Sequence, residues 1–214
     1  MKTSIFLRYF GGIVNDNTWG DIPVIPLGQW LLPIAICLLL QGLYMEKSRK
    51  INIFLEYRCG AIVCWWHRKY LLGLVRGTFI SLGLIFAFIV LDIARREFSL
   101  KELPAVIVLW YLHMLTMQSM YLWMDLLSLR KLALAALLLL EGFTFLIGHK
   151  FQTIGAILYG TWGMYYRSSW YDRPQGFSSF AVILVEIALI MLGYYIGKIL
   201  VTNQTIYENK EMEG

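Results

Sequence analysis

From Leu103 to Met124 the chain runs 22 residues without a charge. A helix needs about 20 predominantly apolar residues to cross the hydrocarbon core of a bilayer. Lipid offers no partner to a free backbone N–H or C=O, so such a run must satisfy its own hydrogen bonds as a helix. Composition extends this to the whole chain. It is 58% hydrophobic and 15% charged, where soluble domains carry about a quarter charged residues. The expected fold class is therefore an all-α polytopic membrane protein. Its 214 residues leave room for five or six spans and no separate soluble domain.

Five further apolar segments accompany Leu103–Met124. They are Pro26–Met45, Gly77–Ala94, Leu132–Gly148, Phe151–Tyr166 and Phe177–Gly197. Phe151–Tyr166 is short, carries Gly155, Gly160 and Gly163, and continues into the polar RSSWYDRPQG. A re-entrant or broken element is expected there, a form tolerated where protein covers the backbone. The expectation is five spans plus one broken helix. Residues 1–25 form a polar N-terminal segment, 26–200 the transmembrane domain and 201–214 a polar tail. No apolar core precedes the Gly, Asn, Asp and Pro cluster of Met1–Gly28, so a signal peptide is not expected.

Between the first two spans lies Glu46–Gly77, with seven of the 19 Lys and Arg residues and two acids. Phe54, Tyr57, Trp65, Trp66 and Tyr70 are interleaved with the charges. The combination suits an amphipathic segment on the cytoplasmic membrane surface, its basic side toward headgroups or a partner. With five spans, the N-terminus then lies outside and the tail inside, with 11 Lys and Arg inside against eight outside. A sixth crossing would also place 11 inside, so charge does not choose between them. The net charge of +5 records such loops and lipid contact rather than nucleic-acid binding.

Asp92, Glu141 and Glu186 lie in or near spans. An ionisable group at the bilayer centre costs roughly 2.5–3.5 kcal/mol on insertion scales, so each must face protein or water. Asp92, beside Arg95 and Arg96, reads as a solvated interfacial acid. Glu141 and Glu186 either hold helices together through His113, Gln118 or backbone, or form with His113 a translocation path or proton site. His67, His113 and His149 have no metal-ligand spacing, and no spacing marks an acid–His, Cys–His or paired-Glu catalytic site. Cys37, Cys59 and Cys64 suggest no disulfide. The pairs Gly73/Gly77 and Gly193/Gly197 suit close helix packing, within or between chains. Thr161–Gly176 reads as an aromatic belt with a turn at Pro174–Gly176, or as an outer lip beside the broken element.

The residues Leu55–Leu72, LEYRCGAIVCWWHRKYLL, resemble the cytoplasmic segment of small permease subunits of Gram-positive ATP-binding-cassette exporters, type-2 exporter-like and of the antimicrobial-peptide export or immunity kind. Those subunits tend to show an Arg-Tyr-like pair, a short small or polar stretch, then Trp-Trp or Trp-Leu and basic residues. Here the pair is inverted, as Tyr57-Arg58, and Trp65, Trp66, Arg68 and Lys69 follow. Members commonly begin with a full apolar span, whereas Met1–Asp21 is polar and glycine-rich.

The resemblance implies a permease subunit in the cell membrane that moves a peptide or lipid-like substrate. Tyr57, Arg58, Trp65, Trp66, Arg68 and Lys69 would couple it to a separate cytoplasmic ATPase. A second permease copy or related subunit and membrane lipids complete the expected partners. The chain would need no cofactor and catalyse no reaction, hydrolysis falling to the partner. A non-transporting accessory or immunity protein is the alternative.

Overall fold

The structure, a computed structural model, describes residues 4–13, 24–59, 62–96, 101–127, 130–171 and 176–212, of which 48–59, 130–131, 152–153 and 204–212 are described by their backbone. Five helices are long and apolar enough to cross a membrane, and the described residues contain no strand. The protein is an all-α, multi-pass membrane protein.

A short helix α1 (Ile5–Phe10) precedes the long helices α2 (Val24–Cys59), α3 (Ile62–Arg95), α4 (Leu103–Leu126) and α5 (Arg130–Lys150). One turn, α6 (Gln152–Gly155), and two 3-10 turns follow, before α7 (Ser179–Met212). Helix α4 is the hub. In its span 61% of residues are buried, against 17% in α3 and 22% in α7, and it packs on α3, α5 and α7. Its buried face is the most polar of the spans, with His113, Thr116, Gln118 and Ser119 among the enclosed residues. That explains how an uncharged run can bind neighbours through hydrogen bonds as well as packing.

Both glycine pairs are used inside the chain. A Cβ on Gly73 or Gly77 would strike Leu122 or Gln118 of α4, and one on Gly193 or Gly197 would strike Ser119 or Trp66. The missing side chains let α3 and α7 close on α4 and on each other. At the resulting seam the Tyr70 hydroxyl donates to Ile190 O (2.6 Å) and lies 2.7 Å from Ser119 Oγ.

The ends of the bundle follow from paired contacts. At one end Asp92, near the close of α3, meets α1. At the other, Lys69 near the start of α3 pairs with Asp125 at the close of α4, at 2.8 Å. The start of α3 and the C-terminal half of α7 share this second end, because Trp66 Nε1 donates to Tyr194 O at 2.9 Å. Residues 151–171 leave and return at the first end: Arg167 Nη1 donates to Gly148 O at 2.5 Å, bringing the segment back to the helix it left. The segment is therefore a broken element and adds no sixth crossing. It leaves the N-terminal helix and the basic segment at opposite ends, and the tail at the basic end.

Asp92 corrects its sequence reading. It is fully buried, accepting from Ser4 Oγ and from the Ile5 and Phe6 amides at 2.8 and 3.1 Å. A carboxylate at a helix N-terminus satisfies amides that have no partner within the helix. The adjacent arginines suggested water, but the partner was α1, 86 to 88 residues away. Once capped, α1 packs Phe10 edge-on against Phe88 and Trp110. Helix α1 thus contributes Phe6 and Phe10 to the core. Pro174 and Gln175, in the expected turn, lie outside the described residues.

Candidate functional site

Three helices bring one ionisable side chain each to the bundle interior. Helix α4 supplies His113, α5 Glu141 and α7 Glu186, all fully buried. His113 Nδ1 lies 2.9 Å from Glu186 Oε1, and its Nε2 lies 3.2 Å from Glu141 Oε2. From α2, Trp30 Nε1 donates to Glu141 Oε1 at 2.6 Å. Both oxygens of Glu141 are therefore engaged, whereas Glu186 Oε2 has no hydrogen-bond partner. At 1.5 Å per residue, His113 sits about 15 Å from the start of α4, deep within the span.

The broken segment covers this centre. The Tyr159 ring stacks obliquely on His113, centroids 4.5 Å apart. Gly160 N donates to Thr144 Oγ1 at 3.0 Å, and that hydroxyl donates to Leu140 O at 2.7 Å. Gly160 and Gly163 sit so close to Glu141 and His113 that an added Cβ would lie 2.8 Å from Glu141 O or 2.9 Å from the His113 ring. Only glycine permits this approach. Two of the three glycines that suggested a broken helix are thus the points where backbone meets the buried cluster, while the third, Gly155, lies against Gly148 and Arg167.

Beyond that contact the segment is tied back to the bundle end. Tyr166 N donates to Gly11 O at 3.0 Å, joining it to the N-terminal segment. Arg167, buried, caps the Gly148 carbonyl near the end of α5, where cations and donors are favoured. Burial lowers its pKa to about 10, so it remains a cation at neutral pH. The aromatics of Thr161–Gly176 serve both kinds of surface: Tyr165 is buried, whereas Trp170 and Tyr171 are exposed.

The sequence-predicted residues divide into two groups. Glu141, Glu186 and His113 come together. The suggested partner Gln118 instead donates to Ser81 Oγ at 3.2 Å. An acid–histidine grouping, invisible as a spacing, is assembled by the fold from positions 28 and 73 residues apart. Sequence reasoning missed Trp30, Tyr159 and Thr144. No local pattern marks them, although the glycine spacing in 155–163 hinted at the close approach.

The coupling residues are dispersed. Tyr57 and Arg58 lie on the backbone of α2, their side chains outside the described residues. Trp66 is fully buried and packs on Gly197 and Tyr70. Trp65 is half-buried under Lys69 Nζ, 4.9 Å from its ring centre. Arg68 is exposed. The basic segment itself is helical, Glu46–Cys59 ending α2 and Ile62–Gly77 opening α3.

Among the described residues no group of three or more His, Cys, Asp and Glu could hold a metal ion. No protein-family model matches the chain, and neither does any curated protein or solved structure.

Proposed function

We propose that the chain is the permease subunit of a transporter driven by a separate ATP-binding-cassette ATPase, moving a peptide or lipid-like substrate across the membrane. The observation that carries this reading is how the start of α3 is mounted. Helices α2 and α3 have 36 and 34 residues, about 54 and 51 Å at 1.5 Å per residue. The hydrocarbon core is about 30 Å thick, so the pair extends beyond it at the basic end. There Arg68 faces outward, while Trp66 is rooted on α7 and Lys69 on α4. A push on this tip reaches the two helices that carry Glu186 and His113. A rigid-body movement of a soluble partner could be passed on by such packed helices. The resemblance of Leu55–Leu72 to exporter permeases supports the same assignment.

The test is purification of the tagged full chain from its native membranes in mild detergent, with ATP hydrolysis measured on the product. A nucleotide-binding subunit is expected in fixed ratio. Reversing the exposed charge with Arg68→Glu should reduce its retention about tenfold, or about 1.4 kcal/mol, while the chain itself still accumulates. Absence of an ATPase, or unchanged retention in Arg68→Glu, would contradict the proposal. A second reading, a non-transporting accessory or immunity protein, is favoured by the sealed centre, since none of His113, Glu141 and Glu186 is exposed. It requires a membrane partner in the same preparation and no ATPase.

A further inference from the structure

We infer that Glu186, His113 and Glu141 form a proton-binding site, and that its exchangeable proton is held on Glu186 Oε2. The inference rests on hydrogen-bond bookkeeping at the cluster. Both His113 ring nitrogens face a carboxylate oxygen. Two arrangements make both bonds. An imidazolium can donate to two carboxylates, or a neutral imidazole can donate to one carboxylate and accept from the other as an acid. These arrangements contain the same number of protons, and each leaves the cluster with one net negative charge.

That charge has no further partner. Among the described residues no lysine or arginine forms an ion pair with either glutamate. Helix α2 contributes Trp30, which donates to Glu141 but does not titrate. The broken segment contributes Tyr159, and α3 presents Tyr70 to Ile190, one turn further along α7. A net charge enclosed at this depth is costly, since charged groups in spans face water or pair with one another. One more proton makes the cluster neutral.

The geometry identifies where that proton goes. Glu141 uses both oxygens, one toward Trp30 and one toward His113. Glu186 uses only Oε1, leaving Oε2 buried and unpartnered. A buried polar atom without a partner requires a physical reason, and an exchangeable proton supplies one. In the step itself an O–H bond forms on Glu186 Oε2 and one breaks on the hydronium ion that delivers the proton. The cluster charge changes from one negative to zero. Tyr159 lies over the cluster as its cover, so exchange requires the broken segment to lift.

The site is independent of the ATPase assignment, because the isolated chain suffices to test it. The full chain in lipid bilayers is titrated from about pH 4 to about pH 10 while the carboxylic-acid C=O stretch is followed by infrared difference spectroscopy. One buried-carboxyl band should appear reversibly as pH falls, amounting to one proton per chain. It should vanish in Glu186→Gln and persist in Asp125→Asn. Trp30→Phe removes the donor that stabilises charge on Glu141 and should displace the midpoint toward higher pH. No titrating buried carboxyl in the unmodified chain, or a band that survives Glu186→Gln, overturns the inference. Should Glu186→Gln not accumulate, an unmoved midpoint in Trp30→Phe overturns it equally.

Discussion

His113→Ala is expected to be the most destabilising single substitution in the protein, lowering stability by about 3–5 kcal/mol. The imidazole bridges two carboxyl groups that reach no cation elsewhere among the described residues. Its removal leaves both enclosed without their shared partner. Truncation also leaves a void beneath Tyr159, adding to the loss. Folded domains have about 5–15 kcal/mol in total, so this is a large fraction. Heating the detergent-solubilised chain and following the monodisperse peak by size-exclusion chromatography measures the effect. Met114→Leu is the control. It sits next along the same helix and is equally buried, but a volume-conserving apolar exchange costs less than about 1.5 kcal/mol. Equal melting of the two variants would mean that the cluster does not hold α4, α5 and α7 together.

The second large effect is expected from Gly160→Ala, a change of one methyl group. Its Cβ would lie 2.8 Å from the Glu141 carbonyl oxygen, a backbone atom inside α5 that cannot rotate away, and would also press on Thr144 Oγ1. Forcing a methyl into a packed site costs about 1–3 kcal/mol. Here the strain falls on the contact that seats the broken segment. Limited proteolysis of the bilayer-embedded chain should cleave between Phe151 and Tyr171 several times faster than in the unmodified protein. Gly28→Ala is the comparison, because a Cβ there meets nothing within 4 Å. If Gly160→Ala is cleaved no faster, the close approach of segment and helix is not what holds the segment down.

How far the sequence reached depended on whether a property was local. Span positions are local, because length and lack of charge decide them. The expected Leu103–Met124 and the observed Leu103–Leu126 differ by two residues at one end. The shortness of Phe151–Tyr166 and its glycines likewise marked a broken element before any packing was known. Partnerships are not local. Glu186 was singled out as a costly acid in an apolar run and His113 as one of its candidate partners, but 73 residues separate them, and nothing in their spacing says that one imidazole serves both acids. Asp92 shows the same limit with the opposite outcome, since its neighbours Arg95 and Arg96 pointed to water while its partners came from α1. Trp65 and Trp66 look alike as an aromatic pair. Successive residues on a helix point about 100° apart, so Trp66 faces α7 while Trp65 lies beneath Lys69.

Every element of the site depends on residues 151–171 leaving and returning at the same end of the bundle. Single cysteines at Lys150, Trp170 and Asn203, each an exposed position, test this in sealed vesicles after the native cysteines are replaced. A membrane-impermeant maleimide should label positions 150 and 170 from one face and position 203 only from the other. Labelling of 150 and 170 from opposite faces would mean that the segment crosses the membrane, and would contradict its place over the Glu141–His113–Glu186 cluster.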